Sequence, residues 1–173
     1  MTLTETLERT VRRSAAQQVE KTCTERAVPL LAVLNEIATL SASMNSGAHF
    51  GYTVNTSPQS LDKGEMTITA GLYDSETGLP LDLQDHPVNP DNFTGPYRAI
   101  SFIVSADGPF KSRPLDQDFS DADRNPYAYE TIYRPCHDVK ELMPRLAAWL
   151  ERNLPGYAEK AEPQPQTPLR CGP

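Results

Sequence analysis

Ile100-Ser101-Phe102-Ile103-Val104-Ser105-Ala106 decides the fold of this chain. Strand side chains alternate between faces with period two, which sets Ile100, Phe102 and Val104 on one side and Ile103 on the other. Apolar groups on both sides predict a strand in the middle of a sheet, covered on each face. Three more alternating stretches surround it: Phe50–Thr56, Met66–Tyr73 and Tyr127–Arg134. Phe50, Tyr52 and Val54 share one face of the first. Met66, Ile68, Ala70 and Leu72 share one face of the second, and Tyr127, Tyr129, Thr131 and Tyr133 one face of the last.

The connections between these stretches are mostly short, which argues for antiparallel pairing. Ser57–Gly64 reads as a loop. Asp74–Gly78 is a turn cluster, after which Leu79, Leu81 and Leu83 alternate as a short return strand. Pro80 confines that return to an edge, because it has no amide to donate. Gln84–Tyr97 carries Pro87, Pro90 and Pro96 with no periodicity and reads as surface loop. Asp107-Gly108 marks another turn, with Phe110–Arg113 as its return.

Helical patterns flank the strands. From residue 3 to 23, Leu3, Leu7, Val11, Ala15, Val19 and Cys23 recur at every fourth position. Each step advances the stripe by about 40° around the helix, so it suits a helix that crosses its partner obliquely or docks only in part. Residues 25–43 are denser in apolar groups, with Val28, Leu30, Leu31, Val33, Leu34, Ile37, Ala38 and Leu40. Pro29 predicts a bend between Cys23 and Pro29, hence two helical segments. Asp138-Val139-Lys140-Glu141 resembles a capping box that opens a last helix. Its apolar face is Val139, Leu142, Met143, Leu146, Trp149 and Leu150, with a bend or delayed start expected at Pro144. The expected fold is therefore α+β: two N-terminal helical segments, an antiparallel sheet of four to five strands, and a C-terminal helix packed on the sheet. Residues 1–157 form one domain, and 158–173 a disordered Pro-rich C-terminal tail.

The 173 residues suffice for a core without metal or disulfide staples. The formal charge of -7 works against direct nucleic-acid or anionic-membrane binding, since phosphates would be repelled. Cys23, Cys136 and Cys171 are too few and too irregular for a secreted disulfide scaffold. With no signal-like apolar core at the N-terminus and no membrane-length run, the expected location is cytoplasmic.

No catalytic motif accompanies the fold. Cys136-His137-Asp138 brings three reactive residue types together, but neighbours on an extended segment point to opposite sides, and Asp138 suits a helix cap. Zinc ligands would come as close pairs such as C-x₂-C, and none exists. The acidic run Asp116–Asp123 lacks the glycine and glutamate of a calcium loop. Neither a metal nor an organic cofactor is expected.

What remains is a recognition surface. Asp116, Asp118, Asp121 and Asp123 form an acidic loop, beside Phe119 and the tyrosines Tyr127, Tyr129 and Tyr133. Acidic rims steer encounter with basic surfaces, and tyrosines supply contact area at low entropic cost. The expected function is non-enzymatic protein binding by stoichiometric contact: a small acidic inhibitor, immunity-type protein, chaperone or adaptor. Its partner is a protein with a basic surface, and the pattern leaves room for a homo-oligomer. The alternative is an enzyme or small-molecule binder with a pocket between sheet and helices, using His49, His86 or His137.

Overall fold

The computed structural model describes residues 1–42, 47–117 and 134–156. In chain order the elements are α1 (Leu3–Ser41), β1 (Ala48–Asn55), α2 (Pro58–Asp62), β2 (Glu65–Asp74), β3 (Ala99–Ser105), β4 (Phe110–Pro114), β5 (Arg134–Cys136) and α3 (Val139–Asn153). The five strands pair antiparallel in sequence order, so β3 lies in the middle and β1 and β5 form the edges. All seven residues of β3 are buried, as its apolar groups on both faces require. The fold is α+β.

Register explains which side the helices cover. Val54, Ile68, Phe102 and Ser112 form one row across the sheet, and Tyr52, Ala70 and Ile100 another. From these rows and their neighbours, Ile68, Ala70, Ile100, Phe102 and Val104 meet Leu30, Leu34 and Ile37 of α1 and Leu142, Leu146 and Trp149 of α3 in one core. Each of the Leu, Ile, Val and Phe side chains among them contributes about 1.5–3 kcal/mol by leaving water. Trp149 is fully buried, and its indole N–H donates to the Ala99 carbonyl at 2.9 Å. The opposite face of the sheet is polar in character, with Thr53, Thr69, Ser101 and Arg113 in one row.

The N-terminal region departs from expectation in its helix count: α1 continues through Pro29 as one helix where two segments were expected. Pro29 and Glu25, whose carbonyl loses its donor, are both exposed, so water solvates the freed group. The same arrangement carries α3 through Pro144, since Pro144 and Lys140 are exposed too. Within α1 the buried residues Cys23, Ala27, Leu30, Leu34, Ile37 and Ser41 alternate steps of four and three, which keeps a seam straight along the helix. Residues 3–22 step only by four, and their stripe turns away from that seam.

Two smaller differences concern the connections. The stretch after β1 holds the single-turn helix α2 instead of loop alone, capped where the Ser57 hydroxyl accepts from the Ser60 amide and opened by Pro58. The return after Asp74–Gly78 is no continuous strand; it pairs through isolated bridges, Tyr73 with Pro80 and Leu81 with Pro87. It wedges between the diverging ends of β2 and β3. There Leu72 N–H donates to the Arg98 carbonyl, Arg98 N–H to Leu81 and Leu81 N–H to Leu72, closing a ring of three bonds. Of the expected strand Tyr127–Arg134, only Arg134 lies among the described residues, where it begins β5; the expected tail 158–173 lies outside them.

Candidate functional site

Among the described residues, the outer edge of β1 offers the longest stretch of strand backbone without a partner strand. Ser75 N–H donates to the Gly47 carbonyl, which fixes the phase of the β1–β2 ladder. By antiparallel alternation the N–H and C=O groups of Ala48, Phe50, Tyr52 and Val54 then point away from β2. Among the described residues no strand pairs with that side. Edge strands are usually blunted by Lys, Pro or a bulge, yet Ala48–Asn55 carries no charge and no proline. The strand is anchored from within: Phe50 packs 6.0 Å from the Trp149 ring, and Tyr52 donates to Asn35 Oδ1 at 3.0 Å.

Of the residues expected to form the acidic and aromatic surface, Asp116 alone is described; Asp118, Phe119, Asp121, Asp123, Tyr127, Tyr129 and Tyr133 lie outside the described residues. Asp116 is turned inward. Its carboxylate accepts from Arg152 Nε at 2.7 Å and Nη2 at 3.0 Å, and from Asn153 Nδ2 at 3.1 Å. This side-chain bonding holds the Arg152 guanidinium above its ordinary pKa, against the opposing effect of burial.

Arg152 and Asn153 also line an open cleft of about 560 Å³ where the end of the sheet meets the C-terminus of α3. Its second arginine, Arg98, donates to Asp85 Oδ1 at 2.9 Å, to Asn153 Oδ1 at 3.1 Å and to the Leu83 carbonyl at 3.1 Å. Both cations are thus braced against partners within the chain. Asp82 organises the neighbouring turn, with Oδ1 accepting from the Gln84 and His86 amides at 2.9 Å each. The His86 N–H bond chiefly holds the Asp82 carboxyl below its usual range; burial opposes it and the Gln84 N–H adds to it.

The reactive residue types stay apart. Cys136 is buried while His137 is exposed, and Asp138 caps α3 by accepting from the Glu141 amide at 3.1 Å. Burial raises the thiols of both Cys23 and Cys136, and neither is in a disulfide. His49 stacks on Tyr73, and neither it nor the other two histidines lines the cleft. No group of three or more metal-binding side chains occurs among the described residues, and no helix among them is long and apolar enough to cross a membrane.

Comparison with known protein families, curated proteins and solved structures finds no match to this chain. The free edge of β1 was missed by sequence reading, although its signal was present: eight residues of strand pattern with no charged or proline gatekeeper.

Proposed function

We propose that this chain is a cytoplasmic, non-enzymatic protein-binding module that takes an extended segment of a basic partner along β1. The observation that carries the reading is the uncharged, unpaired edge of Ala48–Asn55 on a well-anchored sheet. Strand addition uses such an edge: backbone bonds supply affinity, and alternate side chains supply selectivity. Charge favours a basic segment. The chain carries -7 overall, β1 contains no Lys or Arg, Asp74 lies opposite Ala48, and Glu36 follows the Asn35 that holds Tyr52. Asp118, Asp121 and Asp123 add to the steering field, whereas Asp116 is neutralised by Arg152. The side-chain-filled interface between sheet and helices supports contact on the outside of the molecule over catalysis inside it.

Val54→Pro tests this reading, because the Val54 amide points outward and its loss leaves the β1–β2 ladder intact. In quantitative affinity capture from the native host, the wild type should retain a basic protein in one-to-one amount. Val54→Pro should lose that protein while keeping its own thermal stability. Equal capture by both baits overturns the edge reading, and so does the absence of any stoichiometric partner.

A further inference from the structure

We propose, on the basis of strand addition at β1, that this edge selects a segment in which apolar and basic residues alternate. The apolar residues of that segment sit between the edge and one flank of α1. Directly paired residues of adjacent strands share a face of the sheet. The outward N–H and C=O groups of β1 belong to Ala48, Phe50, Tyr52 and Val54. Their side chains lie on the helix side: Phe50 is in the core, and Val54 shares a row with Ile68 and Phe102. A segment bonded to those groups therefore turns every second side chain toward α1, about 4.8 Å beyond β1.

The flank of α1 on that side is uncharged. Asn35, which accepts from the Tyr52 hydroxyl, marks it. Steps of three and four from Asn35 add Thr24, Val28, Leu31 and Ala38 to the same stripe. The other flank holds Arg26, which donates to the Ser105 and Gly108 carbonyls between β3 and β4. Thr24 Oγ1 lies 4.0 Å from Met66 Sδ, near the Asn55 end of β1, since Asn55 pairs with Thr67. Val28 and Leu31 fall between that contact and Asn35, and so alongside Val54. Val28 is 57% exposed and Val54 44%. Among the described residues, the large apolar side chains exposed beyond the N-terminal arm are these two and Leu79. The corner between edge and helix is thus an uncovered apolar one, and a strand paired to β1 covers it.

Charge then assigns the alternate positions. A lysine or arginine turned toward α1 would lose its water against Val28, Leu31 and Val54. One residue along, it lies on the polar face beside His49, Gly51, Thr53 and Asn55. Their cross-strand partners Tyr73, Gly71, Thr69 and Thr67 include no Lys or Arg, and the chain's charge of -7 favours a cation there. The site therefore reads period two, apolar toward the helix and basic toward the polar face.

Fluorescence anisotropy of the full chain with two labelled peptides, each of four valines and four lysines, tests this. In one peptide the residues alternate. In the other the valines form one block, so a strand turns only two of them toward α1. The alternating peptide should bind at least about tenfold more tightly, since burying even one more branched side chain suffices for that factor. Val54→Pro should abolish its binding. Val28→Gln combined with Val54→Thr should weaken it at least about tenfold with the melting temperature retained. Both positions are exposed, and both replacements suit their elements. Equal binding of the two peptides, lost together in Val54→Pro, overturns the pattern and leaves the edge reading standing. An alternating peptide indifferent to the Val28 and Val54 changes has its valines away from α1 and overturns it too. So does a peptide-free chain that sediments as two copies and dissociates on Val54→Pro, which puts a second β1 on the edge. Binding that survives Val54→Pro lies off the edge and overturns both readings. Binding by neither peptide overturns the pattern, while partner capture still decides the edge.

Discussion

The Asp116 carboxylate and the Arg152 guanidinium face each other in a two-bond fork, although 36 residues separate them in sequence. The Asp116 side chain is only 5% exposed. The pair ties the segment after β4 to the last turn of α3, and Asn153 closes it from the side. An aspartate that looks like part of an acidic rim in sequence therefore acts as a brace between two elements.

Asp116→Ala should lower stability by about 1–3 kcal/mol, the range for losing hydrogen bonds to a charged group. The larger figures for fully buried pairs do not apply, because Arg152 keeps 40% of its side chain exposed. Asp91→Ala, at an exposed loop position, should stay within about 0.5 kcal/mol of wild type. Urea unfolding compares the two directly, and equal midpoints would show that the brace is energetically idle.

A sharp contrast between Ile103 and Ser101 is expected from their residue types, with only Ile103 deeply buried. The structure removes that contrast: Ile103 is 8% exposed and Ser101 6%. Both sit on β3 in the middle of the sheet, and each has a basic cross-strand neighbour, Lys111 and Arg113 respectively. Ile103→Asp and Ser101→Asp should both cost about 2–4 kcal/mol, because each desolvates a carboxylate. A Ser101→Asp variant as stable as wild type would place that face in solvent.

Gly71 lies where the chain at Arg98 and Ala99 comes closest. A Cβ there would stand 2.4 Å from the Arg98 carbonyl oxygen and 2.9 Å from the Ala99 Cα, backbone atoms that cannot rotate aside. Gly71→Ala should therefore destabilise by about 1–3 kcal/mol through overpacking. Gly51→Ala, its cross-strand neighbour, meets the Tyr73 ring at 3.5 Å and the His49 ring at 3.7 Å, ordinary van der Waals contacts, and should be close to neutral. Thermal melts that rank the two the other way would contradict the three-bond ring around Leu72.

The strands were legible because period-two alternation and burial coincide: Met66, Ile68, Ala70 and Leu72 share a buried face as their spacing predicts. The helical pattern read over residues 25–43 was legible for the same kind of reason, and α1 carries it as far as Ser41. Whether Pro29 breaks that helix was not, since the outcome depends on whether the freed Glu25 carbonyl meets water or core. Spacing also could not tell that the stripe from Leu3 to Val11 is exposed; only the length of α1 relative to the sheet decides that. The inward turn of Asp116 depends on Arg152, a contact too distant in sequence to carry any local signal.

Asp82 links the fold to pH. Its Oδ1 accepts two backbone N–H bonds that hold the turn over Leu83 and Gln84, and the residue is largely buried. The His86 amide is the leading cause of its depressed pKa. Two cations act in the same sense: His86, whose Nδ1 lies 3.8 Å from Oδ2 on an exposed ring, and Arg98. A carboxyl with a folded pKa below its unfolded value of 3.8 stabilises fully above that value. The stabilisation is lost as pH falls through the lower, folded value. The stability gap between wild type and Asp82→Asn should therefore be present at about pH 5 and shrink below about pH 4. Urea midpoints for both proteins at neutral and acidic pH measure it. A gap that persists unchanged well below pH 4 would mean the carboxylate charge contributes nothing to the turn, leaving only bonds that an amide oxygen makes equally well.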